Sequence, residues 1–184
     1  MQNPFLIGEQ VYLRPLEEAD VPICVRWLND PEVNRTLMAG RFPLNLLRER
    51  EYIQKLYKDQ ENLILAIILK DGDRHIGNTG LEDIHPVHRS AMFGIVIGEK
   101  DCWGKGYGTE AARLMVRHGF QTLNLNRISL NVYDFNPRGI RAYEKAGFRK
   151  EGVLRQAVYA EGTYHDTLVM GILREELEEA RQAG

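Results

Sequence analysis

A glycine-dense run at residues 103–109 (WGKGYGT) lies between an apolar, strand-like segment and a helical pattern. Gly104, Gly106 and Gly108 carry no Cβ atom, so their backbone N–H groups can approach an anion closely. The first N–H groups of the following helix have no partner within the helix and lie at the positive end of its dipole. The run therefore predicts a cradle for a phosphate or diphosphate group. Taken alone, it could also be a flexible turn.

Two other phosphate-binding motifs fit this run less well. Residues 106–111 match the GxGxxA pattern of dinucleotide-binding oxidoreductases, but that motif requires an acidic residue at the end of the next strand. The predicted strand over residues 127–133 provides none, and Asp134 comes after it. A P-loop requires Ser or Thr after its lysine, and Lys105 is followed by Gly106.

Composition restricts the class of protein. The chain has 184 residues, with 24 basic and 26 acidic side chains, and it lacks the basic excess of a nucleic-acid-binding protein. Cys24 and Cys102 are far apart and form no CxxC pair, and the five histidines show no metal-ligand spacing. There is no signal-peptide pattern and no apolar run of about 18 residues. We therefore expect a cytoplasmic protein with no metal, no nucleic acid and no membrane association.

Hydrophobic periodicity and breaker residues predict the element order β-α-α-β-β-β-α-β-α-β-β. Strands are predicted over residues 11–15, 63–69, 76–84, 92–97, 127–133, 153–159 and 163–173. Helices are predicted from an Asp20 cap to residue 29, over residues 44–58, from the glycine-dense run to residue 123, and from an Asn136 cap to a Gly147 stop. We interpret residues 1–184 as a single domain, with a core over residues 8–173 and a polar, helical tail over residues 174–184.

Two motifs in the correct order resemble those of the GNAT superfamily of N-acetyltransferases. The pattern Trp103-x-x-Gly106-x-Gly108 is similar to the family's diphosphate loop. The family usually has Gln or Arg at the first position, and the tryptophan resembles the subgroup that contains the ribosomal-protein N-terminal (Rim-like) acetyltransferases. Residues 136–148 (NPRGIRAYEKAGF) are similar to the family's N-x-x-[AS]-x-x-x-Y-x-x-x-G-F helix, and residues 151–166 resemble the subgroup's closing hairpin.

This resemblance implies an α+β fold of three layers around a mixed, mostly antiparallel sheet, with a splayed strand pair that binds acetyl-CoA. The backbone of Val96 and Ile97 is expected to pair with the pantetheine arm of acetyl-CoA. Asn136 is expected both to cap its helix and to contact the pantetheine. The cofactor-binding residues that the resemblance implies are Val96, Ile97, Trp103, Gly104, Lys105, Gly106, Tyr107, Gly108, Thr109, Asn136 and Tyr143.

The same resemblance implies acyl transfer from a thioester to a primary amine. Tyr143 is expected to protonate the departing thiolate, since a phenol with an ordinary pKa of ~10 holds its proton at neutral pH; it could instead be a core aromatic residue. Glu82 is the candidate general base. Its neighbour Asp83 points to the opposite face of the strand. His85, Asp134 and bound water compete for this role, and Glu82 could simply face solvent.

The acceptor is the most open point. A protein N-terminus is the first hypothesis, and a small amine such as spermidine, an amino sugar or an antibiotic is the alternative. A polyamine would require carboxylates, and those available, among them Glu49 and Glu82, alternate with arginines such as Arg35 and Arg41. A hypothesis of another class is a non-catalytic acyl-CoA-binding module. The resemblance also suggests a homodimer.

Overall fold

A computed structural model describes residues 1–37 and 42–177, and these residues form one eight-stranded sheet in the order β1-β2-β3-β4-β5-β6-β8-β7. All neighbouring strands in this described sheet are antiparallel except β5 and β6, which are parallel. The strands are β1 (Leu6–Ile7), β2 (Val11–Pro15), β3 (Leu63–Leu69), β4 (Arg74–His85), β5 (Ser90–Ile97), β6 (Arg127–Tyr133), β7 (Arg149–Ala160) and β8 (Thr163–Leu173).

The helices lie on both faces of this sheet. They are α1 (Val21–Asn29), α2 (Pro31–Asn34), α3 (Leu46–Leu56), α4 (Tyr107–Gln121) and α5 (Pro137–Ala146). The predicted helical tail is seen only over residues 174–177, and its remainder, residues 178–184, lies outside the described residues, as does Arg41.

Alternation along the strands divides the core into two layers. On β2, Leu13 packs into the cluster that contains α4, whereas the neighbouring Tyr12 packs into the cluster that contains α1 and α3. Ile67 and Ile68 divide in the same way on β3. Successive side chains of a strand point to opposite faces, so a sheet buried on both faces carries apolar residues at every position. This arrangement confirms the predicted three-layer α+β fold.

The structure adds two short elements to the predicted order. β1 pairs with β2 at the sheet edge. α2 begins directly after α1, because the Asp30 side chain accepts hydrogen bonds from the N–H groups of Glu32 and Val33 and Pro31 occupies the first helical position. The sequence analysis predicted only a helix end at Asn29 to Pro31. Proline at a helix start is favoured because its missing N–H would be unpaired there.

Asp20 occupies the predicted cap position, but the prediction that its side chain caps α1 is wrong. Asp20 precedes α1, but its side chain makes no cap hydrogen bond. The buried carboxylate instead accepts two hydrogen bonds from Arg14, at 2.7 and 2.8 Å, and lies 3.2 Å from Nδ1 of His75 on β4. Burial would raise the pKa of Asp20, but the bonds from Arg14, His75 and the Glu17 N–H outweigh it and hold that pKa far below its usual value. Asp20 thus fixes the start of α1 against β2 and β4.

Candidate functional site

β5 and β6 pair over a short length and then separate. Their parallel register ends at Met92↔Ser129. β5 continues to Ile97, while β6 continues to Tyr133 and remains paired with β8 along its whole length. The described sheet therefore contains a wedge-shaped opening between the second half of β5 and the second half of β6. This opening is the splayed strand pair that the sequence motifs led us to expect.

One side of β5 is fully used by its pairing with β4. The N–H of Gly98 donates to the carbonyl of Ile76 at 2.9 Å, and the carbonyl of Gly94 accepts the Thr79 hydroxyl at 3.0 Å. The backbone groups of every second residue of a strand point in the same direction. Val96 is two residues from each of these glycines, so it also directs its N–H and C=O to β4. This geometry corrects the expected role of the Val96 backbone, which does not face the opening.

The other side of β5 faces the opening. By the same alternation, Ile95 and Ile97 direct their N–H and C=O groups into the wedge, beyond the last residue pair with β6. The indole N–H of Trp103 donates to the Ile97 carbonyl at 2.7 Å and occupies it. Both backbone groups of Ile95 and the N–H of Ile97 therefore lie at a strand edge that can hydrogen-bond an extended ligand. The two residues that present backbone groups at this edge are therefore Ile95 and Ile97, not Val96 and Ile97.

The glycine-dense run forms the predicted loop and helix start. Gly104 and Gly106 have φ angles of 76° and 91°, in the left-handed region that glycine adopts without a steric penalty. Gly106 is the N-cap of α4 and no side chain caps the helix there. The N–H groups of its first turn are consequently left for another acceptor, and an anion is the favoured one.

The second motif forms α5 beside this loop. Asn136 caps the helix by accepting the N–H of Gly139 at 2.9 Å, and Gly147 ends it with a φ of 105°. A Cβ on Gly139 would lie 2.6 Å from the Asn136 amide nitrogen, so a glycine there allows the cap to close as it does. Both capping predictions are confirmed, and the N-termini of α4 and α5 lie on the same cavity.

Tyr143 lies on α5, on the α4 side of the sheet. Its ring makes edge contacts with Phe93 of β5, at a centroid distance of 6.1 Å, and with Phe148, at 6.2 Å. Burial raises the pKa of Tyr143 to about 12. The phenol therefore stays protonated across the neutral range and can donate its proton only to a strong base next to it.

A cavity of about 560 Å³ connects these parts. Its wall includes ten of the predicted site residues: Val96, Ile97, Trp103, Gly104, Gly106, Tyr107, Gly108, Thr109, Asn136 and Tyr143. Lys105 and Glu82 are not part of this wall. The side chains of Val33, Thr36 and Leu37 line the cavity on the α1–α3 side of the sheet, which shows that it passes through the opening from one face to the other.

The wall also carries positive charge that the sequence motifs did not predict. Arg113 on α4 and Arg138, Arg141 and Lys145 on α5 line the cavity. The described carboxylates on its wall are Glu9 and Glu110, and Glu110 accepts hydrogen bonds from the backbone N–H groups of residues 9–11. The α4–α5 end of the cavity thus suits a polyanionic ligand. Arg138 lies in the first turn of α5, where a cation opposes the helix dipole. A cation at such a position indicates an anionic ligand and could have been recognised in the sequence.

Glu82 lies next to the opening on the other face of the sheet. It follows Leu81, which packs into the α4-side core, so its own side chain points to the α1–α3 side. A Cβ on Gly94 of β5 would lie 3.0 Å from Oε1 of Glu82, which places the carboxylate over the strand beside Ile95. Desolvation and then the charge of Asp83 raise the pKa of Glu82. Glu82 thus lies on the face of the sheet opposite to Tyr143, next to the strand that borders the opening, and it is exposed.

Within residues 1–37 and 42–177, no group of three or more His, Cys, Asp or Glu side chains is arranged to hold a metal ion. None of the helices described is both long and apolar enough to cross a membrane.

Comparisons with known proteins agree with this geometry. A family model described as an acetyltransferase (GNAT) domain matches residues 10–149. The uncharacterized N-acetyltransferase p20 of Bacillus licheniformis is 31% identical over 93% of this chain and 97% of its own. YdaF of Bacillus subtilis, provisionally named a ribosomal N-acetyltransferase, is 29% identical over 94% of this chain and 96% of its own. The crystal structure of spermidine N-acetyltransferase from Vibrio cholerae with CoA and spermine superposes with a TM-score of 0.84, at 28% identity over 91% of this chain and 97% of that one.

The loop geometry generates a matched pair of glycine variants. Gly106 and Gly162 both have φ angles in the left-handed region, at 91° and 85°, and a Cβ on either would meet nothing within 4 Å. We expect Gly106→Ala and Gly162→Ala to lower the free energy of unfolding by a similar ~1–2 kcal/mol, the cost of a left-handed alanine. Only Gly106→Ala should weaken acetyl-CoA binding, by roughly ten-fold or more through displaced N–H donors.

Denaturant unfolding and titration calorimetry measure the two effects separately. Gly162, in the β7–β8 turn, controls for the backbone penalty. An unchanged acetyl-CoA affinity in Gly106→Ala would contradict the assignment of this loop to the diphosphate.

Proposed function

This chain belongs to the acetyltransferase (GNAT) family and is an N-acetyltransferase that uses acetyl-CoA as acyl donor, and from that premise we propose that its acceptor is a protein N-terminus. The observation that carries the proposal is the neutral lining of the cavity on the α1–α3 side, formed by Val33, Thr36 and Leu37. A protein N-terminus presents one amine beside neutral backbone and small side chains, and such a wall can accommodate it without a second counter-charge.

The placement of acetyl-CoA follows from the two ends of the cavity. The N–H groups at the start of α4 and the cations of α5 support a diphosphate at that end. Ile95 and Ile97 support hydrogen bonding to the amides of the pantetheine arm along the open edge of β5. The thioester then lies in the opening, where the N–H groups of that edge can polarise its carbonyl.

The sheet separates the two proton transfers of the reaction. The amine nitrogen attacks the thioester carbonyl carbon, a C–N bond forms, and the C–S bond breaks. On the α1–α3 side, Glu82 accepts, directly or through water, the proton that the acceptor ammonium must lose before its nitrogen attacks. On the α4–α5 side, Tyr143 gives its proton to the departing thiolate, and the phenolate regains a proton from the nitrogen of the tetrahedral intermediate through solvent. Desolvation that keeps Tyr143 protonated also raises the proton affinity of a thiolate beside it.

A polyamine is the second candidate acceptor, and Glu49 is the observation that favours it. Its side chain on α3 is 4% exposed, and the described residues provide no salt bridge to it. Burial raises the pKa of Glu49, although a hydrogen bond from Cys24 opposes that rise. The pKa of Tyr52 is raised to about 12. Desolvation is the largest cause, and the negative charges of Glu82 and Glu49 add to it. Two carboxylates near the same phenol suit the second ammonium group of a polyamine.

Membership of the Rim-like subgroup, a cytoplasmic location and self-association remain predictions. The likeness to YdaF supports the first of these. Light scattering of the purified protein tests the last.

Removal of the Tyr143 hydroxyl tests the proposed acid. Tyr143→Phe keeps the ring and its contacts with Phe93 and Phe148, so we expect an unchanged fold and acetyl-CoA affinity. Its kcat should fall by about 100-fold or more, the scale of one acid–base group. Steady-state kinetics and calorimetry measure both quantities. Near-normal turnover between pH 6 and 9 would remove Tyr143 from this role.

The pH dependence of a Glu82 variant tests the proposed base. A base acts only when it is deprotonated. The pKa of Glu82 is raised above the ordinary glutamate value of 4.5, so the acidic limb of the kcat/KM profile should lie above pH 4.5. We expect Glu82→Gln to lower kcat/KM by about 100-fold near pH 6.5, where the acceptor is an ammonium. The loss should shrink above the pKa of the acceptor amine, because a neutral amine needs no base before attack. Asp83→Asn is the matched control, since it removes the adjacent charge and leaves Glu82.

A loss in Glu82→Gln that is equal at pH 6.5 and 9.5 would contradict this role. An Asp83→Asn loss as large as that of Glu82→Gln would assign the effect to the local charge instead.

An amine panel tests the acceptor class. Acetyl-CoA-dependent thiol release would be measured with peptides that begin with Ala, Ser or Met, and with spermidine, spermine and an aminoglycoside. We expect turnover with at least one peptide and a kcat/KM below it for every small amine. Preference for spermidine or spermine would replace the proposal with the polyamine alternative. No release with any amine, while acetyl-CoA still raises the Tm, would keep the acetyl-CoA site and contradict both acceptor classes.

A further inference from the structure

Arg138 and Trp103 form a stacked pair on the wall of the cavity. The guanidinium carbon of Arg138, in the first turn of α5, lies 3.7 Å from the centroid of the Trp103 ring. Trp103 is itself held by its hydrogen bond to the Ile97 carbonyl at 2.7 Å. Both side chains line the cavity. The pair therefore connects the open edge of β5, the glycine-dense loop and the start of α5.

The helix start and the loss of water disfavour a cation at this position, although the face of the indole attracts it. The first turn of a helix carries a positive partial charge, which repels a guanidinium. Packing against the indole removes water from Arg138, and this desolvation lowers its pKa, although the charge of Glu32 opposes the change. Throughout residues 1–37 and 42–177, no carboxylate forms a salt bridge with Arg138; Glu32 pairs with Lys100 instead. A charge kept under these conditions suggests an anionic ligand.

The geometry of the cavity identifies which anion this is. The loop and the first turns of α4 and α5 surround the same end of the cavity. Arg113 is already occupied, since its guanidinium donates to the carbonyl of Lys145 at 2.6 and 3.2 Å. Arg141 and Lys145 lie about one and two turns farther along α5. Arg138 is thus the cation nearest to the start of that helix.

We propose that Arg138 binds the diphosphate of acetyl-CoA and that Trp103 positions it for this contact. The inference rests on the proposed binding of acetyl-CoA in this cavity. The flat guanidinium stacks on the indole and keeps its N–H donors directed outward at its edge, where they can bind two phosphate oxygens. The pair would make the enzyme select thioesters of CoA over thioesters of pantetheine that lack the diphosphate.

A truncated-ligand series tests the contact by calorimetry, without reference to turnover. CoA carries the diphosphate and the 3′-phosphate, dephospho-CoA retains only the diphosphate, and pantetheine has neither. We expect Arg138→Gln to weaken CoA and dephospho-CoA equally, by about ten-fold or more, the scale of a charge-assisted hydrogen bond. The affinity for pantetheine should be the same in both proteins. Arg155→Gln removes the same charge from an exposed position on β7 and should leave all three affinities unchanged.

The role of Trp103 is tested by a double-mutant cycle. Trp103→Leu removes the ring on which Arg138 stacks, and we expect it to weaken dephospho-CoA as well. If Trp103 acts through Arg138, the double variant binds no more weakly than the weaker of the two single variants. Additive losses would show that Trp103 has a separate effect and would overturn its positioning role. The Tm of each unliganded variant controls for folding.

Three results would overturn the assignment of Arg138. An unchanged affinity for dephospho-CoA in Arg138→Gln would leave the diphosphate without this contact. A loss with CoA alone would transfer Arg138 to the 3′-phosphate. An equal loss with pantetheine would show a general distortion of the site. If the wild-type protein itself binds neither CoA nor dephospho-CoA, the proposed function fails first.

Discussion

The early end of the β5–β6 pairing is the constraint on which the site depends. A sheet normally satisfies the backbone groups of every interior strand. Here the parallel ladder stops at Met92↔Ser129, and Ile95 and Ile97 are left with hydrogen-bonding groups at an interior edge. An extended ligand with amide groups can complete this edge as a strand would. The same separation opens a passage between the two faces of the sheet, so donor and acceptor can approach one carbon atom from opposite sides.

The remaining elements are arranged around this opening. The starts of α4 and α5 and the cations of α5 surround one end, and the neutral residues Val33, Thr36 and Leu37, in and just after α2, line the other. The α1–α3 side is held in place by polar contacts that join distant segments. Asp20 bonds Arg14 and faces His75, and the Trp27 indole donates to Glu99 at 2.8 Å just beyond β5. Because buried polar groups stabilise only when partnered, these contacts fix α1 to the sheet in one position.

Local signals in the sequence predicted the parts of the site that are determined locally. The glycines at 104 and 106, the Asn136 cap and the Gly147 stop each follow from the conformation of a few adjacent residues, and the structure has all of them. Partners distant in the chain were not predicted. Asp20 was expected to cap α1, and its bonds to Arg14 and its contact with His75 depend on how β2 and β4 are placed in the sheet. The direction of the Val96 backbone depends on the β4–β5 register, and a shift of one residue reverses it.

Amide hydrogen exchange of β5 tests the role of the opening most directly. We expect saturating CoA to slow exchange at the Ile95 and Ile97 amides, because the pantetheine arm becomes their acceptor. The Val96 amide, which already faces β4, should change little by comparison. If Ile95 and Ile97 exchange at the same rate with and without CoA, while CoA is shown to be bound, the open edge of β5 does not hold the cofactor and the account is contradicted.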